Sequence, residues 1–154
     1  MNVLGIDPSL TNTGFAWTGA DGSLQTMGAK TDPNILDFSW RIDPIIEFLR
    51  HRLSEQPQVV VMEGCLNQAR GHAVNTVRLH GVLEWVITQH HGAPPVLVPP
   101  STLKKWSTGK GTATKGDMVK AARGHGYEGR SHDEADAVLL RAYGFHWLEL
   151  EADE

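Results

Sequence analysis

Four carboxylates stand out by their surroundings. Val3-Leu4-Gly5-Ile6-Asp7 is a short apolar run ending in an acid, followed at once by Pro8 and a polar turn, Ser9 to Gly14. Val59-Val60-Val61-Met62-Glu63-Gly64 repeats the pattern. Asp133 and Asp136 lie three apart among small and apolar residues, a spacing that puts both on one face of a helix. A carboxylate leaving a core is costly unless something positive meets it. Several together repel one another unless cations neutralise them. Hard divalent ions with oxygen ligands are the natural partners, and Mg²⁺ also takes substrate phosphate oxygens. Two such ions about 3.5–4 Å apart can clamp the attacking and leaving oxygens of an in-line phosphoryl displacement. The candidate chemistry is metal-assisted phosphodiester hydrolysis.

A phosphodiester backbone also needs positive charge beside it. The chain's net charge of −4 conceals an uneven distribution. Lys104, Lys105, Lys110, Lys115, Lys120, Arg123 and Arg130 crowd the stretch before the last two acids, opposed there only by Asp117 and Glu128. Residues 149–154 carry Glu149, Glu151, Asp153 and Glu154 and no base, and read as a disordered acidic tail on a single domain over residues 1–148. The 154 residues, 40% apolar and 21% charged, suit one globular core. No apolar run approaches the roughly 20 residues of a membrane helix, and the N-terminus lacks the pattern of a signal peptide. Cys65 is the one cysteine, so a reducing compartment such as a cytoplasm fits. It reads as a buried, inert thiol.

The acids need elements to carry them. Val3–Asp7 is a strand stopped by Pro8. Gly14–Thr18 and Ser23–Ala29 flank Asp21-Gly22, a hairpin signal, so three strands form an antiparallel meander. Ile35, Phe38, Ile42, Ile45, Ile46, Leu49 and Leu53 have helical spacing. Pro44 inside that pattern predicts either a kink or a fresh start with Asp43 as N-cap. Val59–Met62 is a strand buried on both faces. A second helix is predicted from about Gly71 to His90, with Val74, Val77, Val82, Trp85 and Val86 inward and Gly81 allowing a close approach to the sheet. His90-His91 reads as its frayed end. Pro95–Pro99 gives a fifth strand. Ser101 caps a short helix holding Leu103, Lys104 and Trp106, residues 107–114 are a loop, and Lys115–Arg123 is helical. Ser131 and Glu134 fit a capping box that opens the last helix. All four acids converge if the first and fourth strands are neighbours and that helix crosses them.

Taken together, these motifs resemble the RuvC family of Holliday junction resolvases, within the RNase H-like superfamily. Gly5-Ile6-Asp7-Pro8-Ser9-Leu10-Thr11-Asn12-Thr13-Gly14 is similar to the family's opening motif, and Val59–Glu63 to its second acidic strand. Leu103-Lys104, with Gly109-x-Gly111-x-Ala113-x-Lys115, resembles its basic loop, and Asp133-Glu134-Ala135-Asp136-Ala137 its closing helix. The resemblance implies an α/β fold with a five-stranded mixed sheet in the order 3-2-1-4-5, flanked by helices. It implies a homodimer that binds four-way DNA junctions and nicks two opposed strands, leaving 5′-phosphates. Two Mg²⁺ ions, replaceable by Mn²⁺, would be held by Asp7, Glu63, Asp133 and Asp136, with Asp7 bridging both. Lys104 and Lys115 would assist cleavage. Lys104, Lys105, Lys110 and Lys115 would bind DNA.

The chain departs from the family in one notable place. The aromatic residue three positions after the second acid is Leu66 here, and Trp106 offers a substitute platform for stacking a base. Some relatives place a histidine at the third acid, which makes His132 an alternative ligand or base. The divergence and compactness suit a phage-encoded member, working in a bacterial or phage-infected cytoplasm. Other readings are a broader nuclease for forks, flaps or RNA–DNA hybrids, a non-catalytic junction binder, and half of an actin-like ATPase. The last lacks the length for two lobes and a glycine-rich adenosine motif.

Overall fold

The computed structural model describes residues 1–65 and 74–153. Leu66 lies outside them, as does the predicted start of the second helix. Among the described residues five strands form one sheet: β1 (Val3–Asp7), β2 (Asn12–Thr18), β3 (Leu24–Lys30), β4 (Val59–Glu63) and β5 (Val96–Val98). Their spatial order is β3-β2-β1-β4-β5, as the resemblance implied. The pairs β1–β2 and β2–β3 are antiparallel, giving the predicted meander, whereas β1–β4 and β4–β5 are parallel. Alternation along β1 divides the core into two layers. Leu4 and Ile6 face α1 (Phe38–Leu53) and α2 (Val74–His91). Val3 joins the opposite layer under α3 (Pro100–Thr108), α4 (Lys115–Arg123) and α5 (His132–Ala152).

Several local readings are corrected. The first helix does not restart at Asp43. Asp37 caps it by accepting from the amides of Ser39 and Trp40, and one helix runs through Pro44. A mid-helix proline costs about 3 kcal/mol. Burial of Ile42, Ile45, Ile46, Leu49 and Leu53 on one stripe offsets that cost. In α2 the inward residues are Leu79, Leu83, Val86 and Ile87, while Val74, Val77 and Trp85 face out. Gly81 is on the outside too, where an added Cβ would meet nothing within 4 Å, so no close helix–sheet contact explains it. His91 is not frayed: its Nε2 lies 2.7 Å from the Pro57 carbonyl oxygen.

α3 begins at Pro100, a residue pre-set for the first helical position, so Ser101 lies inside the first turn instead of capping it. The helix runs on to Thr108 and stops at Gly109 (φ 79°). α4 has the predicted bounds, with a capping box between Thr114 and Asp117. α5 runs to Ala152. Residues 149–152 therefore continue the helix instead of forming a disordered tail. Leu148 packs on the core just before them, and Glu, Leu and Ala propagate a helix well.

Candidate active site

The parallel register of β1 and β4 puts two acids side by side. Val3 pairs with Val59 and Gly5 with Val61. Two residues further along the same face, each strand ends in its carboxylate, Asp7 or Glu63. The third and fourth acids arrive on α5, which packs directly on backbone. A Cβ on Gly14, the residue opposite Asp7, would collide with the main chain of Asp133 and lie 2.9 Å from the Glu134 nitrogen. A Cβ on Gly5 would strike the Ala137 carbonyl and lie 2.6 Å from the Arg141 nitrogen. These two glycines let the helix approach closely enough for Asp133 and Asp136 to join Asp7 and Glu63.

The electrostatics report one cluster. Asp7 is buried, and its pKa is raised well above the carboxylate range by burial first and then by the charges of Glu63, Asp136 and Asp133. Burial and Asp136 push Glu63 up to about 7. Burial and Asp133 push Asp136 up to about 6. Two lysines work against this. Lys115 lowers Asp7 and Asp136, while Lys104 lowers Glu63 and Asp136. Exposed His132 also lowers Asp136 but has no such effect on Asp7 or Glu63. Lys104 and Lys115 are the two basic-loop residues singled out in the sequence. Buried Leu103 and Ala113 beside them, and Met118 one turn into α4, anchor them to the core.

The donor set fits hard divalent cations: four carboxylates, with no thiolate or imidazole among the buried members. Asp136 Oδ1 is buried without a hydrogen-bond partner among the described residues, an acceptor that a cation or its water would satisfy. Among the described residues no three His, Cys, Asp or Glu side chains close into a ready-made cage. Mg²⁺ does not require one, since it usually keeps several waters and binds through one or two carboxylates plus phosphate oxygens.

Other candidates lie elsewhere or behave differently. Lys105 and Lys110 are exposed and shift none of the four acids. Lys110 and Lys120 instead flank a cleft of about 360 Å³ with Asp117. Trp106 is not a free stacking platform. Its ring packs against Tyr143 (5.3 Å between centroids), His146 (6.0 Å) and His125 (6.1 Å), because α3 lies against α4 and α5. Glu134 does not complete a capping box. Ser131 accepts from its amide, but its carboxylate accepts from Thr26 Oγ1 at 2.8 Å. Arg78 does not pair with Glu63; it donates to Asn75 and lies over the Phe38 ring. Cys65 is exposed, not buried, on a cleft of about 490 Å³ with Glu63, Thr76, Ser101 and Lys104.

The sequence reading missed Asn12. Its Nδ2 donates to Asp133 Oδ2 at 3.0 Å across 121 residues. Only its place in the turn after Asp7 hinted at a role. That turn is braced internally: Thr13 Oγ1 donates to the Ser9 carbonyl and accepts from the Ser9 amide.

No protein-family model matches the chain. Among curated proteins, it is 30% identical over 148 residues to the crossover junction endodeoxyribonuclease RuvC of Parafrankia sp. (strain EAN1pec), covering 91% of this chain and 83% of that one. It is 28% identical over 148 residues to the enzyme of that name from Frankia casuarinae, covering 91% and 86%. Among solved structures, it superposes on Thermus thermophilus RuvC in complex with a Holliday junction substrate with a TM-score of 0.80. That match has 22% identity and covers 98% of this chain and 96% of the other.

Proposed function

The chain belongs to the RuvC family of crossover junction endodeoxyribonucleases, and from that premise we propose that it resolves four-way DNA junctions by metal-dependent hydrolysis. Water attacks the scissile phosphorus in line, the P–O3′ bond breaks, and a 3′-hydroxyl and a 5′-phosphate remain. The observation that carries this reading is the convergence of Asp7, Glu63, Asp133 and Asp136, two strand ends and one helix face, beneath Lys104 and Lys115.

Asp7, Glu63, Asp133 and Asp136 would hold two Mg²⁺ ions, with Mn²⁺ as a substitute. When bound, these ions supply Lewis-acid polarisation of phosphoryl oxygens and a water acidic enough to attack near neutral pH. The chain's own residues do the rest. Asp7 is central, since each of the other three acids raises its pKa. Lys104 and Lys115 reach the cluster from separate helices and offset its charge, so a phosphodiester can approach four acids. They then face the negative charge that grows on the phosphorane oxygens. Lys105 and Lys110 lie exposed farther along the same basic segment and would contact the backbone away from the break. The cleft beside Glu63 gives the adjoining nucleotide room.

Paired nicking of a two-fold junction calls for a two-fold enzyme. A homodimer is supported by the outer face of α2. Val77 is exposed there, and Trp85, 61% exposed, lines a cleft of about 400 Å³ with Phe38, Ser39, Arg78, Gly81 and Val82. Among the described residues no helix is long and apolar enough to cross a membrane. A bacterial or phage-infected cytoplasm, where branched DNA is found, is the proposed setting.

The test is cleavage of labelled substrates at equal concentration: a four-way junction, a Y-fork, an RNA–DNA hybrid and a linear duplex, each with Mg²⁺. The junction is expected to be cut in symmetric pairs with ligatable nicks. Equal cutting of fork or hybrid would replace junction resolution with a broader nuclease activity. Junction binding without any nick would leave only a binding protein.

A further inference from the structure

We infer that Asn12 is a positioning residue that sets the orientation of Asp133 in the acid cluster, with Gly28 supplying the slot its amide occupies. The inference rests on the reading of the four acids as a metal-binding set and adds to it a residue outside that set.

Asn12 opens β2, directly after the turn that follows Asp7, and pairs with Lys30 of β3. Its Nδ2 donates to Asp133 Oδ2 at 3.0 Å. An ionised carboxylate only accepts, so the NH₂ end of the amide must face Asp133. This orientation turns Oδ1 away, and that oxygen is buried without a partner among the described residues. Leaving a buried acceptor unmet is costly. A residue present only to fill the space would not need the amide at all. The unmet oxygen makes sense if the bond to Asp133 is what the position serves.

The slot is built for this group. A Cβ on Gly28 would strike Asn12 Oδ1, and it would lie 2.9 Å from Nδ2 and 3.0 Å from Cγ. Gly14, the partner of Gly28 in the ladder, has already brought the Asp133 main chain down onto β2. Gly28 on β3, Asn12 on β2 and Asp133 on α5 therefore form one line across the edge of the site. Along that line the amide engages one oxygen of Asp133, Oδ2. Groups that hydrogen-bond to metal-binding carboxylates orient them, and losing one typically costs about 10–100-fold in metal affinity or activity.

The experiment titrates the full-length protein with Mn²⁺ alone, following free Mn²⁺ by electron paramagnetic resonance. It compares wild type, Asn12→Ala, Asn12→Asp, Gly28→Ala and Asp7→Asn. Each variant's metal-free melting curve and the Mg²⁺ dependence of junction cleavage are recorded alongside. Asn12→Ala and Gly28→Ala are expected to bind Mn²⁺ about tenfold more weakly, and their half-saturating Mg²⁺ should rise by the same factor. Their rate at saturating Mg²⁺ should stay near wild type. Asn12→Asp keeps the shape but loses the donor, and should lose at least as much affinity as Asn12→Ala. Should Gly28→Ala fail to fold, the two Asn12 variants decide. Mn²⁺ affinities within twofold of wild type, with only the melting curve shifted, would reduce Asn12 to a structural residue and overturn the proposal. A wild type that binds no Mn²⁺, or an Asp7→Asn protein that binds it equally well, would remove the metal reading and this inference with it.

Discussion

Each of the four acids has its own surroundings, so their substitutions should differ. Asp7 is buried at the centre and feels the other three. Asp7→Asn is expected to lower junction cleavage about a thousandfold. Junction affinity, measured by gel shift without metal, should hold or tighten because a phosphate-repelling charge is gone. Lys115 is exposed, so Lys115→Ala should leave the melting temperature unchanged while cleavage falls about 10–100-fold. Cleavage by Lys115→Ala at the wild-type rate would remove it from the site. The raised carboxylate pKa values carry a second prediction. In the folded protein Glu63 holds its proton up to about 7 and Asp136 up to about 6, whereas the unfolded chain releases these protons near pH 4. The folded state therefore binds more protons between those limits, and metal-free stability must fall as pH rises through them. Between pH 5.5 and 8 the loss is on the order of 3 kcal/mol. Denaturant melts at pH 5.5 and 8 in EDTA should show it, and Mg²⁺ at pH 8 should restore much of it. Stability that rises with pH over this range would contradict the cluster.

At the scale of elements, the site depends on how closely α5 approaches the sheet. Gly14→Ala puts a methyl group into the Asp133 main chain, so α5 must shift. Overpacking of this kind costs about 1–3 kcal/mol. It should also abolish cleavage in protein that still melts cooperatively, as followed by circular dichroism. Cleavage at the wild-type rate would mean that the approach is not critical. The strands, the Ser131 cap and the Lys115–Arg123 helix were legible because their signals are local: apolar runs ended by an acid, a serine before a periodic segment, a threonine before an exposed helix. The facing of α2 was not. Its apolar residues surround the helix, and periodicity alone chose Val77 and Trp85 over Leu79, Leu83 and Ile87. Asp7 and Glu63 stood out as candidates because each ends a strand, and Asp133 and Lys115 because they lie at the start of a helix; Lys104 and Asp136, inside their helices, were picked out by motif and spacing instead. Asn12, Trp106 and Glu134 were misread or missed because their partners, Asp133, Tyr143 and Thr26, are set by tertiary packing.

At the scale of the molecule, charge and symmetry connect the fold to its substrate. An acidic chain can bind DNA because six of its fourteen lysines and arginines are gathered on α3, α4 and the loop between them, next to the acid cluster. Trp85→Glu places a charge on the exposed face of α2 proposed as the dimer contact. Sedimentation should then show a monomer where wild type is a dimer, and junctions should receive single nicks instead of pairs. A wild type that stays monomeric at every concentration, or a Trp85→Glu protein that still dimerises, would move the interface elsewhere. The most direct measurement of the central claim is anomalous diffraction from crystals soaked in Mn²⁺. Mn²⁺ density is expected against Asp7, between Glu63 on one side and Asp133 and Asp136 on the other, and should be lost in Asp7→Asn. Saturating Mn²⁺ that leaves no density among these four carboxylates, or density only at other sites, would contradict it.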